Sequence, residues 1–149
     1  MLSWLFSGPL PIGAEAPDFK LANQNGRAVS LSSLRGRPVV LVFYPGDDTP
    51  VCTKQLCEFR DNWALAEKYG AQVLGINNQR VARHGRFHDK HKFPFPLLVD
   101  EGQRVAAQYQ ANGLWWVRRT VYLIDAAGII RFARRGKPHP SEVFAALPR

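Results

Sequence analysis

The chain has 149 residues, 46% of them hydrophobic, which suits one domain with a real core and leaves too little for two. Its longest apolar run, Val39 to Tyr44, falls far short of the roughly 20 residues that cross a bilayer, so no membrane-spanning helix is expected. The net charge of +8 lies wholly in the second half, with 7 basic and 7 acidic residues in 1–79 against 13 and 5 in 80–149, and no nucleic-acid motif accompanies it.

The predicted elements begin after an arm, residues 1–15, of a single domain spanning 1–149. The opening MLSWLFSGPLP has no basic residue before Lys20 and is interrupted by Pro9 and Pro11, unlike a secretory leader. It reads as an arm whose Trp4, Leu5 and Phe6 pack on the domain of a cytoplasmic protein. Val39 to Tyr44, VVLVFY, is continuous and apolar, as in a central strand covered on both faces. From Thr49-Pro50 the period becomes helical, with Thr49 as N-cap and Pro50 at the first helical position. Leu56, Phe59, Trp63 and Ala66 then recur every three to four residues until Gly70 ends the helix.

Ala71 to Asn77 reads as a second buried strand, Gln79 to Lys92 as a polar helix, Pro96 to Val99 as a short strand and Gly102 to Ala111 as a short helix. Thr120 to Asp125 and Ile129 to Arg135 form a predicted hairpin, and a last helix is capped near Ser141. The order β-α-β-α-β-β-α behind an N-terminal extension is that of an α/β protein of thioredoxin-like fold, with a central mixed sheet flanked by helices.

Both cysteines of the chain, Cys52 and Cys57, fall in the first two turns of the helix that starts at Thr49. Cys52 is the third helical residue, among backbone amides that lack intrahelical acceptors and at the positive end of the helix dipole, where a thiolate is stabilised. On an intact helix, residues i and i+5 have Cα atoms roughly 8 to 9 Å apart, beyond the limit of about 7 Å for a disulfide. Two readings follow: a pair of buried thiols acting as small hydrophobes, or a bond made and broken in a cycle that unwinds the helix.

PGDDTPVC, Pro45 to Cys52, has the spacing P-x-x-x-T-x-x-C and resembles the active-site loop of the peroxiredoxins, thiol peroxidases of thioredoxin-like fold. With a second cysteine five residues on, Phe43 to Asp61 is similar to the peroxiredoxin Q subfamily, also called bacterioferritin-comigratory proteins. The resemblance extends to APDFKL (Ala16 to Leu21), FPLLVDE (Phe95 to Glu101) and RTVYLIDAAG (Arg119 to Gly128). Val51 and Gly46 depart from it, standing where glycine and a longer side chain are common.

The resemblance implies a peroxidase for hydrogen peroxide and small organic hydroperoxides. Cys52 is then the peroxidatic nucleophile, Thr49 bonds thiolate and peroxide through its hydroxyl, Pro45 shields the sulfur from water, and Arg119 holds the peroxide oxygens. Cys57 would resolve the Cys52 sulfenic acid as an intramolecular disulfide, which a thioredoxin-type dithiol reduces. No metal or organic cofactor is implied, and a monomer is expected. Arg118 stands next to Arg119 and on a strand faces the other way. The rival readings are a dithiol-disulfide oxidoreductase, which wants the absent C-x-x-C spacing, and a nucleic-acid or anionic-partner module with incidental thiols.

Three further groups are read as structural. His84, His88 and His91, at helical spacing and interrupted by Gly85, read as a solvated helix face rather than metal ligands. Trp115-Trp116 reads as a packed loop partly covering the site. Asp47-Asp48 reads as a loop hydrogen-bonding pair.

Overall fold

Seven strands form one sheet in a computed structural model that describes residues 2–148; Met1 and Arg149, the outermost residues of the expected span, lie outside the described residues. The strands are β1 (Lys20–Ala22), β2 (Ala28–Ser30), β3 (Val39–Phe43), β4 (Gln72–Asn77), β5 (Leu97–Val99), β6 (Thr120–Ile124) and β7 (Ile130–Arg135). They lie in the order β2-β1-β5-β4-β3-β6-β7. Pairs β3/β4 and β4/β5 are parallel, and the outer pairs are antiparallel. This mixed sheet with helices on both faces is the thioredoxin-like arrangement.

Every residue of β3 is buried, as its run of β-branched and aromatic side chains requires of a central strand. Successive residues point to opposite faces. Val40, Val42 and Tyr44 therefore enter one core with Leu56, Phe59, Phe87 and Phe144. Val39, Leu41 and Phe43 enter another with Phe19, Tyr109 and Val117. The first core lies under α1 (Pro50–Asp61), α2 (Trp63–Tyr69), α3 (Val81–His91) and α5 (Pro140–Phe144), and the second under the short α4 (Arg104–Gln108) and the N-terminal segments.

The helix expected to run to Gly70 is interrupted at Asn62, whose backbone leaves the helical region and whose side chain donates to Glu58 O at 2.8 Å. This is the local competition by which asparagine ends helices. The last helix is capped by His139 rather than Ser141, the imidazole Nδ1 accepting from Ser141 N at 3.1 Å.

The arm docks through Trp4 and Leu5. Arg118 lies over the Trp4 ring and donates to Leu5 O at 2.9 Å. Phe6 does not pack: it is 89% exposed, because the short 3-10 helix Ser3–Phe6 presents only one side to the protein.

Candidate active site

The register of β3 against β6 sets the site. Phe43 pairs with Thr120, so the residue before Thr120 lies beside the loop that leaves β3. Arg119 shares a face with Val121, and Val121 belongs to the core that also holds Cys52. Arg118 points oppositely and binds the carbonyls of Asn112 and Gln110, each at 2.8 Å, as well as the arm.

Cys52 is buried in the first turn of α1, and Arg119 Nη2 lies 3.2 Å from its Sγ. The same guanidinium donates through Nη1 to Gln55 Oε1 at 2.7 Å. Gln55, itself buried, reaches Gly136 O at 3.5 Å through Nε2. With Nη1 held by Gln55, the planar fork keeps Nη2 aimed at the sulfur. Gln55 was not singled out from the sequence; its signal was its place one turn after Cys52, on the same helix face.

Pro45 is half-buried at the start of the loop. Thr49 is the helix N-cap and Pro50 follows at the first position, yet no helix amide bonds the Thr49 side chain. Its hydroxyl, expected on the thiolate, donates instead to Gly46 O at 3.3 Å. That hydroxyl turns back on its own loop and leaves the amides of the first turn facing the sulfur end of the helix without intrahelical acceptors.

Asp47 and Asp48 diverge, with no shared centre. Asp48 is exposed and pairs with Lys90 Nζ at 3.1 Å. Asp47 is fully buried, and its Oδ1 accepts from Tyr44 Oη at 2.5 Å and Asn77 Nδ2 at 3.1 Å. Its backbone is held as well: its amide donates to Gln79 Oε1, and its carbonyl accepts from Arg83 Nη2 at 3.1 Å. Burial, and then the Asp47 carboxylate, push the Tyr44 phenol well above its ordinary range, so it stays a donor. The loop that positions Pro45 and Thr49 is thus riveted to β4 and α3 at Asp47.

The three histidines do not form a solvated face. His84 is fully buried, with Nδ1 2.5 Å from Asp47 Oδ2 and Nε2 2.8 Å from Leu98 O. His88 Nε2 lies 3.1 Å from Phe95 O. His91 Nδ1 lies 4.0 Å from Cys57 Sγ, and its Nε2 is buried without a partner. Helical rotation sends them to separate partners because α3 packs with its histidine side inward.

Cys57 is half-buried, and both thiols are free on one continuous helix. Burial is the main cause of a raised Cys57 pKa; Arg60 acts against it and Asp61 with it. Trp115 and Trp116 are 74% and 58% exposed, correcting the expectation of a packed loop. Their main chain is tied down while the rings are not: Asn78 Nδ2 donates to Trp115 O at 3.0 Å, and the Trp116 carbonyl closes on Gly113.

The arrangement combines a buried thiol at a helix N-terminus, a fixed guanidinium against it, and a second thiol farther along the same helix. Such a site can attack an electrophilic oxygen, stabilise the charge that leaves, and exchange the oxidised sulfur with a neighbour. Comparisons with known proteins agree in kind. A family model described as AhpC/TSA family matches residues 12–133. The chain is 41% identical over 138 residues to "Peroxiredoxin Q, chloroplastic" of Oryza sativa subsp. japonica, covering 91% of this chain and 64% of the rice protein. It is 40% identical over 129 residues to "Putative peroxiredoxin bcp" of Coxiella burnetii (strain RSA 493 / Nine Mile phase I), covering 81% and 85%. The chain thus spans slightly less than two thirds of the rice relative. Among solved structures, peroxidoxin BcpB from Mycobacterium tuberculosis superposes with a TM-score of 0.87 at 33% identity, over 92% of this chain and 96% of that one. A cysteine-to-serine PrxQ mutant from Xylella fastidiosa superposes with a TM-score of 0.83 at 26% identity, over 91% and 94%.

Proposed function

From the premise that this chain belongs to the AhpC/TSA family, in its peroxiredoxin Q branch, we propose that it is a thiol peroxidase for hydrogen peroxide and small organic hydroperoxides. The observation that carries the proposal is the Arg119 guanidinium 3.2 Å from the buried Cys52 sulfur. In the proposed cycle the Cys52 thiolate attacks one peroxide oxygen. A sulfur–oxygen bond forms, the oxygen–oxygen bond breaks, and the second oxygen leaves as water or an alcohol after taking a proton. Sulfur is oxidised by two electrons and peroxide is reduced by two.

Arg119 and the first-turn amides of α1 face both the thiolate and the oxygen on which charge develops, so they act without rearranging during the step. Pro45 limits water at the sulfur. The Thr49 hydroxyl turns from Gly46 O toward the peroxide when substrate enters, since rotation about its own bond is all that this needs. The first turns of α1 then unwind, Cys57 sulfur displaces hydroxide from the Cys52 sulfenic acid, and a Cys52–Cys57 disulfide and water result. A dithiol protein of the thioredoxin type returns two electrons.

The reading makes residues 1–149 one working domain, a monomer, placed in a reducing compartment such as the cytoplasm where a dithiol supply is maintained. Gel filtration of the reduced and oxidised protein tests the monomer, and localisation of the tagged protein tests the compartment. The peroxidase itself is tested by intact mass and peptide mapping after one equivalent of hydrogen peroxide, with Cys52→Ser and Cys57→Ser alongside. The expected results are a Cys52–Cys57 disulfide in the parent protein and a Cys52 sulfenic acid in Cys57→Ser. An unreacted Cys52 would end the reading.

A further inference from the structure

The basic excess of the second half is concentrated at one place. Residues 80–92 hold five basic side chains, Arg80, Arg83, Arg86, Lys90 and Lys92, against the single acidic Asp89, which gives 5 − 1 = +4 of the chain's +8. All five are exposed. At 100° per residue, Arg83, Arg86 and Lys90 fall within about 60° of one another on one flank of α3. They are spaced i, i+3 and i+7, so like charges sit on adjacent turns, which weakens a helix rather than supporting it. Gly85 weakens it again. Arg80 and Arg86 have no ion pair and no side-chain hydrogen bond among the described residues. Among the described residues only Lys90 of this flank has an acidic partner, Asp48, so the repulsion is offset at that one position.

This flank borders the turns that carry both thiols. Arg83 holds the carbonyl of Asp47 and Lys90 pairs with Asp48, both in the loop leading to Cys52. At the other end of α3, Arg60 donates to His91 O at 2.7 Å and the His91 ring faces Cys57. A partner lying along α3 therefore has the redox-active helix beside it.

We infer that the Arg83–Arg86–Lys90 stripe of α3, together with Arg80 at its N-cap, is the docking surface for an acidic face of the dithiol protein that re-reduces this chain. The inference rests on the peroxidase reading and adds to it how the reductant is chosen. A positive stripe attracts an acidic partner during diffusional approach, raising the association rate and rejecting basic dithiol proteins. The only Phe, Tyr or Trp within α3, Phe87, is buried, so the helix itself presents charge rather than a large exposed ring. Once docked, one partner thiolate attacks the Cys52–Cys57 disulfide, forming a mixed disulfide and releasing one cysteine as thiolate. The partner's second thiol breaks that bond. The partner leaves as a disulfide, and this chain regains two thiols with two electrons and two protons.

The experiment starts from peroxide-oxidised protein whose disulfide has been verified by mass. Its reduction is followed with an acidic thioredoxin-type protein and, separately, with dithiothreitol. Arg80→Glu/Arg86→Glu is compared with Arg37→Glu/Lys68→Glu, which makes the same change in net charge next to the amino ends of β3 and β4. The expected result is at least a tenfold loss of second-order rate with the protein reductant for Arg80→Glu/Arg86→Glu alone. Dithiothreitol rates should stay within twofold for all, and the loss should shrink as salt rises from about 20 to 300 mM, where the Debye length shortens several-fold.

Equal rates for the two double variants with the protein reductant would overturn the inference, whether both are slow or both match the parent. So would a parallel loss with dithiothreitol, which would make α3 a support for the cysteines. Binding of a DNA oligonucleotide that is lost in Arg80→Glu/Arg86→Glu, with an unchanged reductant rate, would give the stripe to nucleic acid instead. If no disulfide forms with peroxide at all, it is the peroxidase reading that fails, and the mass spectrum reports that before any reductant is added.

Discussion

His84 Nδ1 lies 2.5 Å from Asp47 Oδ2, and neither side chain is exposed to solvent. The other ring nitrogen faces the Leu98 carbonyl at 2.8 Å. Both imidazole nitrogens thus meet oxygen, one on the loop that leads to Cys52 and one on the sheet beneath it. The pair joins residues 37 apart in sequence and fixes the loop, while Arg119 meets the sulfur itself. Two independent polar anchors therefore hold a thiol whose own helix unwinds in the proposed cycle.

Removing one member of that buried pair leaves the other without its partner. His84→Ala is expected to cost about 3 to 5 kcal/mol of stability, roughly 6 to 20 °C in Tm for a chain of this size. It should also slow the reaction of Cys52 with peroxide, because the loop carrying Pro45 and Thr49 loses its rivet. Thermal melts and stopped-flow peroxide kinetics check both. A variant that melts within a degree or two of the parent would show that the pair carries no such weight.

Arg119→Ala removes the donor nearest the developing charge and is expected to slow peroxide reduction about 100- to 1000-fold, with little change in Tm. Gln55→Leu keeps the guanidinium and removes its anchor. Gln55 acts only by positioning, so the expected loss is smaller, about tenfold to a hundredfold. In Arg119→Lys the amine lacks the second fork arm that meets Gln55, so adding Gln55→Leu to it should cost almost nothing more. Full additivity of the two changes in that double-mutant cycle would separate Gln55 from Arg119.

Much of this was legible in the sequence for simple reasons. The run VVLVF is apolar on both faces and marks a central strand. Thr49-Pro50 marks a helix start, and the spacing to Cys52 and Cys57 places both thiols in its first turns. Arg119 could be told from Arg118 by strand alternation together with family resemblance. What stayed hidden depends on partners far away in sequence. His84 looked solvated because its neighbours on the chain are charged, and only the fold brings Asp47 to it. β2 went unnoticed because its three residues are exposed or half-buried and carry no apolar alternation. The exposure of Trp115 and Trp116 goes with a main chain held by the Asn78 side chain and by the close approach of the Trp116 carbonyl to Gly113, which ring chemistry does not reveal.

Gly75, in the middle of β4, is required by close approach rather than by backbone angle. A Cβ there would lie 2.7 Å from Leu97 Cδ2 and 3.2 Å from Tyr44 Cε1. Gly75→Ala is expected to destabilise the protein by about 1 to 3 kcal/mol through overpacking. The Tyr44 ring would have to move, pulling its hydroxyl from Asp47 and disturbing the same loop. Denaturant unfolding measures the first effect and peroxide kinetics the second. An unchanged midpoint would mean that Leu97 yields without cost.

The contact between Cys57 and His91 should make unwinding of α1 depend on pH. Burial raises the Cys57 thiol, so the folded helix favours the neutral form. That contribution is fully present below the ordinary thiol value of about 8.5 and is lost as pH rises through the raised folded value. Burial, then Lys90 and Arg60, lower His91, so the folded helix also favours neutral imidazole. That contribution is present above the ordinary imidazole value of about 6.5 and is lost as pH falls through the lowered one. The first turns of α1 should therefore be most firmly closed between about pH 6.5 and 8.5, and should open more readily on either side. Protection of the first-turn amides of α1 should then be greatest within that window, while resolution of a Cys52 sulfenic acid also follows the thiolate fraction of Cys57, which grows with pH. His91→Phe, similar in size and without a titrating group, should flatten the acid limb and leave the alkaline one. Quenched-flow mass spectrometry of disulfide formation against pH, alongside hydrogen exchange of the α1 amides, reads both limbs. Amide protection in α1, corrected for intrinsic exchange, that changes with pH identically in the parent and in His91→Phe would remove His91 from the control of this step.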